Sequence, residues 1–93
     1  MSDSFWYVYL LRCADDTLYC GISTDVPRRV QAHNNGTGAK YTRSRGPVSL
    51  VVSCPCPDKS TALRLELRIK KMPRKRKLAA LRQAARESAS CFT

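Results

Sequence analysis

Residues 19–33 read Tyr-Cys-Gly-Ile-Ser-Thr-Asp-Val-Pro-Arg-Arg-Val-Gln-Ala-His. The run breaks into the end of a strand, a tight glycine bend and the first turns of a helix. Thr24 or Asp25 can cap that helix, with Pro27 near its first position. Val26 and Val30 supply its buried stripe. Arg29 and His33 stand at i and i+4, so both project from one face. Asn34-Asn35-Gly36 stops the helix. Tyr19 precedes Arg29 by ten positions. A phenol, a guanidinium pair and an imidazole are therefore delivered at fixed spacing.

Upstream, residues 5–13, Phe-Trp-Tyr-Val-Tyr-Leu-Leu-Arg-Cys, are aromatic, β-branched and free of Gly and Pro, which predicts a strand. Asp15-Asp16 is a turn signal. Residues 17–23 then form the second strand of a hairpin. Its register can be argued. With an odd loop, Trp6, Val8 and Leu10 share a face with Leu18, Cys20 and Ile22, and that face is wholly apolar. Tyr7, Tyr9, Tyr19, Gly21 and Ser23 share the other. An even loop mixes the two sets, because a one-residue slip flips every side chain. The odd loop is favoured, and it puts Tyr9 and Tyr19 on one side.

Downstream, residues 34–46 read as a long cationic loop, whose length suggests function. Val48 to Cys54 is a short apolar run, expected as a third, central strand that Pro55 and Pro57 break. Asp58 or Ser60 caps a helix through about Lys71, with Ala62, Leu65 and Ile69 inward and Leu63 beside them. Met72-Pro73 interrupts. A last helix, about 74–87, turns Leu78, Leu81 and Ala85 inward and leaves Arg74, Lys75, Arg76, Lys77, Arg82 and Arg86 for solvent or phosphate. Residues 88–93 are expected to fray. The fold class expected is α+β: a small three-stranded antiparallel sheet flanked by three helices, in one domain spanning 1–93, with its core at 5–72.

The length of 93 residues allows one core without staples, burying roughly 60–65% of the unfolded surface. The 43% hydrophobic content is that of an ordinary globular chain. The charge is not ordinary: 17 Lys and Arg face 7 Asp and Glu, a formal net charge of +10. Such an excess implies a polyanionic partner, with nucleic acid ahead of an anionic membrane, since no helix carries a large bare apolar face. Nothing reads as a signal peptide or a membrane span. Five cysteines is an odd number, and Cys54-Pro-Cys56 lacks zinc-knuckle spacing. All five read as reduced thiols of a cytoplasmic protein, most of them filling core space.

The few acids can each be placed. Asp15 and Asp16 make the turn, Asp25 and Asp58 sit at helix starts, Asp3 and Glu87 lie near the ends. Glu66 is the exception: mid-helix, with Arg64, Arg68, Lys70 and Lys71 around it in sequence. One reading is an i,i+4 ion pair with Lys70. The other is a metal ligand or general base in a basic cleft, because a phosphodiester site needs a carboxylate to hold Mg²⁺ or Mn²⁺.

Tyr7-Val8-Tyr9, Tyr19-Cys20-Gly21, Arg29 and Glu66, in that order and spacing, resemble the GIY-YIG nuclease superfamily. The stretches 33–43 and 62–66 are similar to its small single-domain bacterial subgroup and to the catalytic domain of the structure-specific endonuclease subunits that cut branched DNA. The likeness covers about residues 5–72. The first tripeptide lacks the family's glycine, Cys20 replaces an aliphatic residue, and Ile22 stands where some relatives have lysine. Both tyrosine hydroxyls are retained.

The resemblance implies metal-dependent hydrolysis of DNA phosphodiesters. Tyr19 would act as general base towards water or position it; Arg29 would neutralise phosphoryl charge. Glu66 would hold one divalent metal, Mg²⁺ or Mn²⁺. Tyr9 and His33 would position water or phosphate, or relay the proton. Gly21 would let a phosphate approach the strand. Tyr7, Arg28 and Lys70 would join the DNA face. Lys40, Tyr41, Arg43 and Arg45 would form a strap, cations on the backbone and Tyr41 stacking a base. Each has a plainer reading: Tyr9 as a core aromatic, His33 as a partner of the helix C-terminus, the strap as an ordinary polar loop. A catalytically silent nucleic-acid-binding module with the same fold is the alternative function, and a docking face for an acidic partner is a third. Strand form, single-stranded or branched, is expected to matter more than sequence. No membrane and no small-molecule cofactor are expected. The sequence decides neither a homodimer nor the pathway, whether repair, recombination or handling of incoming DNA.

Overall fold

The computed structural model describes residues 5–92, and side chains through residue 88. The chain runs β1 (Trp6–Arg12), β2 (Leu18–Ser23), α1 (Val26–Asn34), α2 (Lys40–Arg43), β3 (Ser49–Cys56), α3 (Lys59–Lys70) and α4 (Arg74–Phe92). The three strands form one antiparallel sheet in the order β2-β1-β3.

The β1–β2 hairpin has the odd loop and the register that alternation demands: Tyr9 lies opposite Gly21 and Leu11 opposite Tyr19. The turn is closed by the Cys13 amide donating to the Thr17 carbonyl at 2.9 Å. Asp16 takes a positive φ of 67°, which Asp tolerates better than most residues.

β3 corrects the expectation of a central third strand. It pairs only with β1, so β1 is central and β3 lies at the edge. It also runs through Pro55, opposite Tyr7, to Cys56 rather than breaking there. The two corrections have one cause: an edge strand can place a proline where its missing N–H faces no partner. A register shift between Leu10 and Leu11 marks a bulge in this pairing.

The sheet has a core on each face. On one, Val8, Leu10, Cys20, Cys54 and Cys56 pack against Ala62 and Ile69 of α3 and Leu81 of α4. The other is formed by Tyr9, Leu11, Cys13, Val26 and Val48, with Tyr7, Tyr19 and Val30 against them. The helices begin as the sequence predicts. The Asp25 carboxylate accepts from the Arg28 amide at 3.2 Å and the Asp58 carboxylate from the Thr61 amide at 2.7 Å. Gly36, at φ 79°, follows the end of α1.

Two cations expected to face solvent or phosphate are structural. Lys77 Nζ donates to the Ile69 and Lys70 carbonyls at 3.1 and 3.0 Å, closing the C-terminus of α3. Arg74 donates twice to the Asp16 carbonyl and pairs with its carboxylate at 3.2 Å, tying α4 to the hairpin turn. α4 extends to Phe92 rather than ending near residue 87; Thr93 and the N-terminal residues that include Asp3 lie outside the described residues. No helix among the described residues is long and apolar enough to cross a membrane.

Candidate active site

The register of the hairpin points Tyr7, Tyr9, Tyr19 and Gly21 towards α1. One turn after Arg29, α1 delivers His33, which is 1% exposed. Its Nε2 lies 3.0 Å from Tyr9 Oη, and its Nδ1 lies 2.7 Å from Thr42 Oγ1 in α2. The Ala39 amide also meets Nδ1, at 3.3 Å. An amide N–H can only donate, which favours Nδ1 as acceptor with the ring proton on Nε2. Nε2–H therefore donates to Tyr9 Oη, which leaves the phenol's own proton for a group beyond. The Thr42 hydroxyl stands within reach of both Nδ1 and the Ala39 carbonyl, the latter at 3.0 Å.

Burial, and secondly the nearby Arg29 guanidinium, hold the His33 pKa below its ordinary value, so the imidazole is neutral at neutral pH. Burial pushes the Tyr9 phenol up to about 12, with Arg29 partly opposing. Tyr9 thus stays protonated and is unsuited to be a base. Two glycines make room for the pair. A Cβ at Gly38 would meet His33 Nδ1 at 2.5 Å, and one at Gly21 would meet Tyr9 Oη at 2.5 Å. Gly21 was expected to admit a phosphate; it is buried instead, and Tyr9 fills the space before it. Its missing side chain serves the packing of a phenol.

Tyr19 is half-buried, with its ring 5.2 Å from His33 and 6.5 Å from Tyr9. Its ring also stacks on Tyr41 at 5.8 Å. Arg45 lies over the Tyr41 ring at 4.0 Å, donates to the Tyr41 carbonyl at 2.8 Å and pairs with Asp15 at 3.1 Å. The Ala14 amide donates to the Arg45 carbonyl at 2.8 Å. Tyr41 and Arg45, expected to stack a base and hold a phosphate, are therefore committed to each other, to Tyr19 and to the hairpin turn. Within the strap, Lys40 and Arg43 remain exposed. The segment is not purely a loop: Lys40–Arg43 is a helical turn. Its entry is pinned by Asn34, whose amide side chain exchanges hydrogen bonds with the Val48 backbone at 3.1 and 2.6 Å.

Arg28 and Arg29 are exposed and line a shallow cavity of about 260 Å³ with Ser23, Thr24, Asp25 and Ala32. Tyr7 lies apart, lining a different cavity with Thr24, Val26 and Leu50. Glu66 belongs to the other layer. Its side chain is 17% exposed and pairs with Lys70 at 3.2 Å, so the ion pair read from sequence forms. Glu66 faces Cys20, whose thiol is pushed up to about 12 first by burial and then by that carboxylate. Cys20 separates Tyr19 from Gly21 along β2, so the candidate carboxylate and the candidate phenol approach the edge strand from opposite layers.

Among the described residues no three His, Cys, Asp or Glu gather into a metal-binding group. A lone carboxylate suits a hard cation such as Mg²⁺, which keeps water and takes phosphate oxygens for its other ligands. It does not suit zinc. Sequence reasoning missed Thr42, Gly38, the Ala39 amide and Asn34. Gly38, two positions after the helix-stopping Gly36, was the one trace of them.

Residues 5–79 match the GIY-YIG catalytic domain. A UPF0213 protein of Nitratidesulfovibrio vulgaris is 50% identical over 80 residues, covering 86% of this chain and 73% of that protein. One from Vibrio cholerae is 52% identical over 82 residues, covering 87% and 81%. The solution structure of a protein from E. faecalis is similar with a TM-score of 0.61 at 37% identity, covering 89% of this chain and 90% of that one. That of the UPF0213 protein of Bacillus halodurans gives 0.54 at 42% identity, covering 87% and 86%. With the two tyrosines of the hairpin, the arginine and histidine of α1 and the glutamate of α3 all present, the chain belongs to the GIY-YIG family.

Proposed function

We propose that this protein is a divalent-metal-dependent DNA endonuclease that hydrolyses phosphodiester bonds and selects strand form above sequence. The observation that carries the reading is the hydrogen-bonded line Thr42–His33–Tyr9, buried directly behind Tyr19 and Arg29. Buried polar lines of this kind cost stability unless fully bonded, and they hold their members to one geometry. Tyr19, the more exposed of the two facing phenols, positions the attacking water or, once its own phenolic proton has passed to solvent, takes up that water's proton as the phenolate. Tyr9 stays protonated, buried behind Tyr19, with His33 holding its oxygen in place. Arg29 offers its planar fork to the charge that builds on the phosphoryl oxygens. Glu66 is the residue that would hold a divalent cation, Mg²⁺ or Mn²⁺, in place of its present partner Lys70. When bound, the cation supplies charge neutralisation at the phosphate. Arg28, Lys40 and Arg43 follow the DNA backbone. The four described cysteines, all buried thiols with no disulfide among them, support a reducing compartment such as the cytoplasm.

Cleavage of single-stranded, duplex and branched DNA with Mg²⁺, Mn²⁺ or EDTA tests the reading. Nicking should require the metal and fall by a factor of about 10²–10³ in Arg29→Ala, with DNA binding retained. Glu66→Ala should abolish it. Nicking that survives in both variants would overturn the assignment. One observation favours a silent DNA-binding module instead: the Glu66–Lys70 ion pair already gives the carboxylate a structural partner. That reading requires metal-independent binding and no cleavage of any strand form by the unmodified protein.

A further inference from the structure

Leu63 and Leu67 of α3 are 45% and 57% exposed, the most exposed large apolar side chains among the described residues. They stand at i and i+4 and so form one short ridge along the helix. The ridge ends beside Glu66, the residue before Leu67. Arg64, Arg68, Lys70 and Lys71 are exposed around it. By the 100° turn per residue, Lys70 flanks one side of the ridge, and Arg64 and Lys71 flank the other. The opposite side of α3, with Ala62 and Ile69, is buried against the sheet, so the leucines contribute nothing to that core.

We propose that the Leu63–Leu67 ridge receives unpaired nucleobases of a DNA substrate and thereby confers a preference for single-stranded or frayed DNA over intact duplex. The inference rests on the endonuclease reading for its choice of polymer. Charge complementarity selects the occupant. An apolar strip with the exposed cations Arg64 and Lys71 along one side, and the Lys70–Glu66 pair along the other, fits a ligand that is polyanionic and carries apolar faces a few ångströms from its charges. Unpaired DNA has both, whereas duplex DNA hides its base faces in the stack and offers chiefly phosphates. Two leucines are too small a surface to seat α3 in a bilayer, since an interfacial helix needs a full apolar face. The ridge also borders Glu66, so a base laid on it puts the adjoining phosphate near the proposed carboxylate.

The test is equilibrium binding of fluorescein-labelled DNA in EDTA, where catalysis plays no part. Three probes are compared: a single strand, a hairpin duplex of equal charge, and a single strand carrying abasic sites. The unmodified protein should bind the first more tightly than the other two. Leu63→Gln/Leu67→Gln should lose about tenfold on the single strand alone, with the salt dependence unchanged. Both positions are exposed, so the melting temperature should hold, and each single variant provides a check if the double one unfolds. Equal affinity of the unmodified protein for all three probes overturns the proposal. So does a strand preference that survives the double variant. Loss in that variant of binding to phosphatidylglycerol vesicles, with strand preference intact, assigns the ridge to a membrane and overturns it as well. Strand preference without any cleavage in Mg²⁺ or Mn²⁺ would sink the endonuclease reading and leave the ridge standing.

Discussion

The two faces of the sheet are built from the same three strands yet hold different matter. The face towards α3 and α4 is aliphatic residues and thiols: Val8, Leu10, Cys20, Cys54, Cys56, Ile69 and Leu81. The face towards α1 and α2 carries tyrosines, and beneath them a buried histidine and threonine bonded to one another and to the backbone. The first face can tolerate any apolar side chains of suitable volume. The second needs donors and acceptors at fixed points, since each buried polar atom left unpaired costs about 1–3 kcal/mol. The difference teaches that the side towards α3 and α4, apart from Glu66 at its margin, maintains the fold while the other maintains a geometry, and substitutions within the sheet should separate the two properties.

The largest expected effect on stability falls on the aliphatic face. Leu10→Ala, at a fully buried position, should cost about 2–5 kcal/mol in chemical denaturation, while any cleavage per folded molecule stays close to normal. Activity lost in proportion to nothing but folding would preserve the division; activity lost first would break it. Gly21→Ala comes next. The added methyl collides with Tyr9 Oη, so a cost of about 1–3 kcal/mol is expected, together with a displaced phenol and impaired cleavage. A fully active Gly21→Ala protein would mean that the position of Tyr9 is unimportant.

Thr42→Val keeps the volume and removes the hydroxyl at His33 Nδ1. A stability loss near the lower end of about 1–3 kcal/mol is expected, because the Ala39 amide still reaches the ring. Thr42→Ser should restore both stability and the pH profile of cleavage, which a purely space-filling role would not require. The smallest effect is on pH. The folded pKa of His33 is depressed, so below its ordinary 6.5 the unfolded chain binds the extra proton first. Stability should be complete above that pH and decline as it falls towards the folded value, and His33→Phe should flatten this part of the profile. An unchanged profile in that variant would place the acid sensitivity elsewhere.

Much of this was legible in the chain. The alternation of residues 6–10 against 18–22 fixed the hairpin parity, and with it the shared face of Tyr9 and Tyr19. Asp25 and Asp58 marked two helix starts by their capping chemistry. The i,i+4 spacing brought Arg29 and His33 to one side of α1. The position of β3 was less legible. Its apolar run suits a central strand, and only the weight given to Pro55 could have moved it to the edge. In the strap, composition is a weaker guide for two of the four residues. Arg45 and Tyr41 have the composition of a nucleic-acid contact, but a guanidinium also finds a partner in any nearby carboxylate or ring, and Asp15 is brought to it from thirty positions away in sequence.

By itself the sequence determined the local geometry: strand parity, helix caps, and the offset between the arginine and the histidine. It also determined an excess of cations that only a polyanion or solvent can satisfy. These follow from periodicity and from groups a few residues apart. Only the tertiary structure decided which polar groups are paired. It set His33 between Tyr9 and Thr42, 24 positions before it and nine after. It put Arg45 on Tyr41 and against Asp15, and it left Leu63 and Leu67 bare. Hydrogen bonds between distant residues depend on which surfaces close over them, and burial is a property of the assembled layers that no local pattern encodes.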